Sequence, residues 1–238
     1  MSAREGLLAG CLLASAAPAL AAGLPPLFSD GPQRLVRVDA APEVAPARAA
    51  ALEAACLQVT STLGPLEAPL VLQVRQAPSV EAFVASTGRA RFEAAALVQG
   101  VVWLQPEGVL ARLADVDGVL RHECVHAWLR AHGLRLPRLL EEALAVGASG
   151  QAARLPPAPP LTVAELEAVA RELARPTGRA GYERAVARAA ATFWPPLQGL
   201  EAGARAVLLR RIQAAPEAAW LDVPLSDGGG GLRGALAP

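Results

Sequence analysis

Residues 119–131 read VLRHECVHAWLRA, and within them His122-Glu123-Cys124-Val125-His126 has the form HExxH. Successive residues of an α-helix turn by about 100°, so side chains four apart stack on one face. A helix here brings two imidazoles to one point, as a tetrahedral Zn²⁺ requires of its ligands. Leu113, Val116, Leu120, Cys124, Ala127 and Ala131 step by three or four and form an apolar stripe centred opposite the histidines. One face of the helix is therefore expected to pack on a core while the other opens to a cleft. Glu123 projects from the flank between the histidines, placed to take a proton from a metal-activated water. Cys124 belongs to the buried stripe and does not read as a ligand.

A catalytic zinc takes a third protein ligand and keeps one position open. His132 is one source, but Leu129 stands where the metzincin pattern HExxHxxGxxH has a glycine, so nothing obliges the helix to turn. On a continuing helix His132 falls about 9 Å beyond His126 and off its face. It reads instead as a polar residue of the last turn, favourable near the negative end of the helix dipole when protonated. The second source is an acid on the next segment, where Leu136-Pro137 opens a helix carrying Glu141 and Glu142.

Around these two helices the apolar periodicity changes several times. Residues 33–39 and 69–76 alternate as strands, and residues 47–63 read as a helix ended by Gly64-Pro65. Ser79 caps a short helix to Ala85, closed by the Thr87-Gly88 turn. Residues 91–105 carry two apolar runs about Gln99-Gly100, a hairpin signal that Pro106 terminates. The HExxH helix is predicted over residues 109–131, ending at Gly133, and residues 147–161 read as a loop rich in Gly, Ala and Pro. Thr162-Val163-Ala164-Glu165 is a capping box opening a helix to Leu173, and helices follow at residues 182–193 and 202–212. The expected class is α+β: a small mixed β-sheet packed on the HExxH helix, then a helical C-terminal lobe.

The 238 residues carry 22 Arg+Lys against 22 Asp+Glu, which gives no basic excess for nucleic acid or an anionic membrane surface. All the basic residues are Arg and neither Lys nor Asn occurs, so Schiff-base lysine chemistry, a Walker-type phosphate lysine and N-glycosylation are excluded. Residues 1–21 read as a secretory signal, with Arg4, an apolar stretch from Leu7 to Leu20, and a small-x-small cleavage site at Ala19-Leu20-Ala21. The alternative is lipidation at Cys11, within Leu8-Ala9-Gly10-Cys11. No later segment reaches the roughly 20 apolar residues of a membrane span. The domain itself is expected over residues 22–225, before a glycine-rich flexible tail at 226–238. Cys56 and Cys124 are read as buried thiols acting as small hydrophobes, with a disulfide permitted outside the cytosol.

Leu136-Pro137-Arg138-Leu139-Leu140-Glu141-Glu142-Ala143-Leu144-Ala145 resembles the segment after HExxH in gluzincin zinc metallopeptidases, where a bacterial group has Pro, an apolar pair and Glu-Gly-Leu-Ala. The resemblance implies one Zn²⁺ on His122, His126 and Glu142, with Glu141 as the competing register, and Glu123 as general base. It implies a peptidase acting on a peptide or protein substrate, which the signal at residues 1–21 would export; the alternative is a catalytically inactive zincin-like peptide-binding or structural periplasmic protein. It also implies that residues 98–104 line the cleft as an edge-strand template for substrate. The family's Gly after the ligand acid is Ala143 here, and an Asp that orients a ligand histidine is replaced by Val146. The oxyanion donor implied by the resemblance is Tyr182; the alternative is a ring tucked under a helix.

Overall fold

The computed structural model describes residues 35–215 and 220–222. The expected signal, Cys11 and the glycine-rich tail lie outside the described residues. Strands β1 (Val36–Ala40), β2 (Leu70–Gln76), β3 (Ala95–Val98) and β4 (Val101–Leu104) form one sheet in the order β1-β2-β4-β3. β1 with β2 and β2 with β4 are parallel, whereas β3 with β4 is antiparallel, so the sheet is mixed. The parallel pair β1/β2 needs a crossover, supplied by helix α1 (Pro46–Leu63). In β2 the alternation places Leu70, Leu72 and Val74 in the core and Val71, Gln73 and Arg75 outward. Gln99 (φ 50°) and Gly100 (φ 83°) supply the two positive φ values that a tight hairpin turn uses. Helix α2 (Val80–Thr87), capped by Ser79, covers the other sheet face, where Phe83 meets Ala77 and Ala96.

The hairpin corrects one expectation. β4 lies between β2 and β3, so the edge strand is β3, residues 95–98, and not the stretch 98–104. Pairing of Ala96 with Trp103 and Val98 with Val101 leaves the N–H and C=O of Leu97 pointing off the sheet, toward the HExxH helix.

That helix is also shorter than predicted. Residues 107–131 divide into α3 (Glu107–Leu110) and α4 (Val116–Ala131). Asp115 breaks the run because its side chain accepts from the Gly118 amide at 2.8 Å as an N-cap. A Cβ at Gly118 would stand 2.1 Å from that carboxylate, so a larger residue would displace the cap. The apolar face of α4 is broader than the predicted stripe: Val125, Trp128 and Leu129 are buried with Leu120, Cys124 and Ala127, while Ala131 is exposed. The reason is position, since α4 runs between the sheet, α1 and the next helix, α5 (Arg138–Ala148).

Cys56 on α1 and Cys124 on α4 form a disulfide, which overturns the reading of two buried thiols. The two helices pack side by side with these Cα atoms 4.9 Å apart, inside the span a disulfide bridges. α5 extends through Ala148, into the stretch predicted as loop, and a 3₁₀ turn follows at Gln151–Arg154. The capping box at Thr162 and Glu165 is present and starts a 3₁₀ turn leading into α6 (Leu166–Ala174). α7 (Arg179–Gln198) outruns the predicted 182–193 at both ends and carries Pro195 and Pro196 in its last turn. α7 lies close against α5, where a Cβ on Gly147 would be 2.2 Å from the Trp194 ring. Helix α8 (Ala202–Ala214) contributes Arg205, whose buried guanidinium donates to the carbonyls of Thr62, Leu197 and Leu200. A cation there satisfies the ends of α1 and α7, where helix carbonyls lack partners. No described helix is long and apolar enough to cross a membrane.

Candidate metal centre

α4 and α5 meet with the HExxH face of one turned to the first two turns of the other. His122 and His126, one turn apart, bring their Nε2 atoms to 3.1 Å. Glu142 of α5 places Oε2 3.5 Å from His122 Nε2. One donor atom from each of His122, His126 and Glu142 falls within 4.8 Å of the others. Ligand bonds of about 2.0–2.1 Å at tetrahedral angles set donor atoms about 3.3 Å apart, so two imidazoles and a carboxylate gathered this closely fit Zn²⁺.

The far nitrogens of the imidazoles are both held. Glu141 Oε1 lies 2.9 Å from His126 Nδ1, and Gln151 Oε1 lies 3.0 Å from His122 Nδ1. An acceptor on each Nδ1–H leaves the Nε2 lone pairs to face the common point. Glu141 and Glu142 thus point to different places: Glu142 to the cluster, Glu141 to the back of His126. Val146, where the resemblance has an acid, lines the apolar side of the cleft, and Gln151 on the 3₁₀ turn takes up the back of His122. Gln151 was not singled out in the sequence, because its partner lies 29 residues away and no periodicity links a turn to α4.

The electrostatics follow from this packing. Burial pushes the Glu142 carboxyl up, but its hydrogen bond to His122 and the charges of His126, His122 and Arg138 outweigh that and hold it far below the ordinary carboxylate range. Burial disfavours a charged His122, yet the hydrogen bond and charge of Glu142, the Glu123 charge and Gln151 raise it above the ordinary imidazole value. Two Nε2 lone pairs aimed at one point repel unless a cation lies between them. Glu142 favours a proton on His122, which would relieve that repulsion.

Glu123 is buried, with Oε2 accepting the Leu97 amide of edge strand β3 at 2.7 Å. Arg130, one turn beyond His126, donates to the Leu97 carbonyl at 3.1 Å. Tyr182 at the start of α7 donates its hydroxyl to Glu142 Oε2 at 3.1 Å, and its ring meets Phe92 with centroids 5.7 Å apart. Burial, then the charges of Glu142 and Glu93, raise the Tyr182 phenol well above its ordinary value, so it stays a donor. His132 lies away from the cluster, with Nδ1 2.9 Å from the Trp128 carbonyl and Nε2 3.2 Å from that of Pro65.

Three adjoining cavities with shared walls follow α4. On the His122 side, a cavity of about 290 Å³ is lined mainly by apolar residues, Leu113, Val119, Val146, Leu155 and Val186 among them, with the pairs Asp115–Arg154 and Arg179–Glu183 also on its wall. Over the cluster itself, His122, Glu123, His126, Glu142 and Tyr182 border about 140 Å³. Beyond His126, Arg89, Arg130 and Arg138 line about 490 Å³. Comparison with protein-family models, curated proteins and solved structures finds no match to this chain.

Proposed function

We propose that this chain is a zinc-dependent peptidase of gluzincin type with a zincin-like fold. One observation carries the reading: His122, His126 and Glu142 converge at one point, with Glu123 on the adjoining flank and the edge strand β3 beside it. A bound Zn²⁺ would polarise the scissile carbonyl and lower the pKa of a coordinated water toward about 7. Glu123, anchored through Oε2 on the Leu97 amide, keeps Oε1 to accept the proton of the attacking water and pass it to the leaving amine. Tyr182, held protonated, orients Glu142 through its single O–H and would turn that O–H from Glu142 to the oxygen that becomes negative when substrate is bound. Export after a cut near Ala21 belongs to the proposal, supported by the disulfide, which persists in oxidising compartments.

The test is zinc stoichiometry and peptide hydrolysis in wild type and Glu123→Gln. The proposal expects one zinc per chain in both, chelator-sensitive hydrolysis in the wild type, and turnover lost in the variant. Absence of stoichiometric zinc, or hydrolysis indifferent to chelator, would overturn it. A second reading, a peptide-binding module that does not cut, is favoured by the engagement of Glu123 with Leu97. It expects peptide to be bound equally by both proteins and hydrolysed by neither.

A further inference from the structure

α4 forms the floor of the cleft, and its residues on that side step by three or four: Val119, then His122 and Glu123, then His126, then Arg130. The character of the cleft changes along the same line: mainly apolar before the cluster, where Arg154 and Arg179 are paired with Asp115 and Glu183, and richer in arginine than in acid after it. The cationic end draws its charges from three separate elements: Arg89 after α2, Arg130 in the last turn of α4 and Arg138 at the start of α5. Glu93 is the acid on that wall; one of its oxygens accepts the Ala90 amide, and the charges of Arg89 and Arg138 act on it without a direct ion pair.

The three arginines are engaged to different degrees. Arg130 holds the Leu97 carbonyl, a neutral partner, and its charge also acts on Glu141 without a direct ion pair. Arg138 reaches Glu142 Oε1 at 3.5 Å, and its Nε is buried without a hydrogen-bond partner. Among the described residues no carboxylate lies within 4.0 Å of the Arg89 guanidinium, which is half-buried against the cavity. A divalent cation on Glu142 would further draw that carboxylate from Arg138. Guanidinium groups gathered in a part-enclosed cavity favour a planar anion with two acceptors, above all a carboxylate.

We propose that the arginine-lined end of the cleft binds a carboxylate of the peptide on the His126 side of the scissile bond, with Arg89, which forms no ion pair within 4.0 Å among the described residues, as its principal cation. The proposal rests on the peptidase reading and specifies the substrate class: peptides with a C-terminal carboxylate, or an Asp or Glu side chain, a short distance beyond the cut. Either source offers the same chemistry, and the experiment separates them.

The probe is a random N-acetylated peptide library prepared both as free acids and as C-terminal amides. Zinc-loaded wild type, Arg89→Gln and Glu123→Gln proteins are incubated with each form; cleavage is mapped for the first two, and retained peptides are identified on the third and on Glu123→Gln/Arg89→Gln. The expectation is about tenfold enrichment of peptides with a carboxylate at a fixed distance, the scale of one charge-assisted contact, falling below about twofold in the Arg89→Gln background. Enrichment confined to free acids identifies a C-terminal carboxylate; enrichment that survives amidation identifies Asp or Glu. Cleavage without carboxylate preference overturns the proposal and leaves the peptidase reading standing. Absence of cleavage counts against the peptidase reading alone, because retention on Glu123→Gln still decides: retained carboxylate peptides support the cationic site, and no enrichment overturns it. Zinc content of Arg89→Gln should equal wild type, since Arg89 touches none of the three clustered donors.

Discussion

Tyr182 donates to Glu142 Oε2 across 3.1 Å, joining the chain's single tyrosine to the acid grouped with His122 and His126. The contact ties α7 to α5 at the point where charge is concentrated. On the proposed peptidase reading the single O–H orients Glu142 in the resting centre and must leave it to reach a substrate oxygen.

Tyr182→Phe removes only the hydroxyl and keeps the ring against Phe92. Zinc affinity should fall about tenfold, the lower range for losing a partner of a metal ligand. At saturating zinc, kcat should still fall about 100-fold, the scale of one oxyanion donor. Competition with a fluorescent chelator and steady-state assays at fixed zinc separate the two effects. Unchanged zinc affinity would show that the hydroxyl does not orient Glu142.

The two neighbouring acids should differ sharply. Glu142→Ala deletes a clustered donor and should strip zinc during dialysis. Glu141→Ala and Gln151→Ala leave the three donors but free a ring nitrogen, so each should weaken zinc by about 10–100-fold. His132→Ala should retain full zinc, because both its nitrogens face backbone carbonyls outside the cluster. Metal content of the four variants, dialysed together, is the measurement. Loss from His132→Ala with retention in Glu142→Ala would reverse the assignment.

Metal-free protein should be most stable in a window set by the clustered groups. Glu142 titrates below its ordinary 4.5, so its stabilisation is present above that value and lost as pH falls through the folded pKa. His122 titrates above its ordinary 6.5, so its stabilisation is complete below that value and lost as pH rises through the folded pKa. Tm of the chelated chain should therefore be highest between about pH 5 and 6.5 and decline on both sides. Glu142→Gln should flatten both flanks. Zinc affinity should run the other way across the upper flank, rising with pH as the His122 proton leaves.

The disulfide closes a 68-residue separation, which in the chain-entropy account is worth about 4 kcal/mol. Cys56→Ala/Cys124→Ala should lose roughly that much in urea unfolding. Zinc affinity should drop as well, because Cys124 sits between Glu123 and Val125 and its bond fixes the rotation of α4 against α1. Equal zinc affinity with reduced stability would confine the disulfide to holding the fold.

What the sequence disclosed was local. HExxH, the Ser79 and Thr162 caps, and the Gln99-Gly100 turn each express physics acting over a few residues, and each element lies where its signal stands. The break at Asp115 was missed because Val109, Leu113 and Val116 keep helical spacing across a capping residue. The edge strand was misplaced because strand order depends on which strand β2 pairs with, and hydrophobic alternation is blind to that. The Cys56–Cys124 bond is not legible in the sequence, because the approach of α1 to α4 is a tertiary distance. Glu141 and Glu142 could not be separated by sequence alone, since adjacent residues on a helix differ by about 100° and only the position of α4 distinguishes the two directions.

The run of α4 from Val119 to Arg130 sets a ruler along the cleft. Eleven residues at about 1.5 Å each give about 16 Å, and an extended chain advances about 3.3 Å per residue, so about five residues fit between the apolar and cationic ends. On the proposed peptidase reading, a folded protein substrate could offer such a length only as a loop, a terminus or an already opened segment. Selectivity between proteins would then depend on how readily each exposes five consecutive residues, a property of the substrate's own local unfolding, more than on its overall shape.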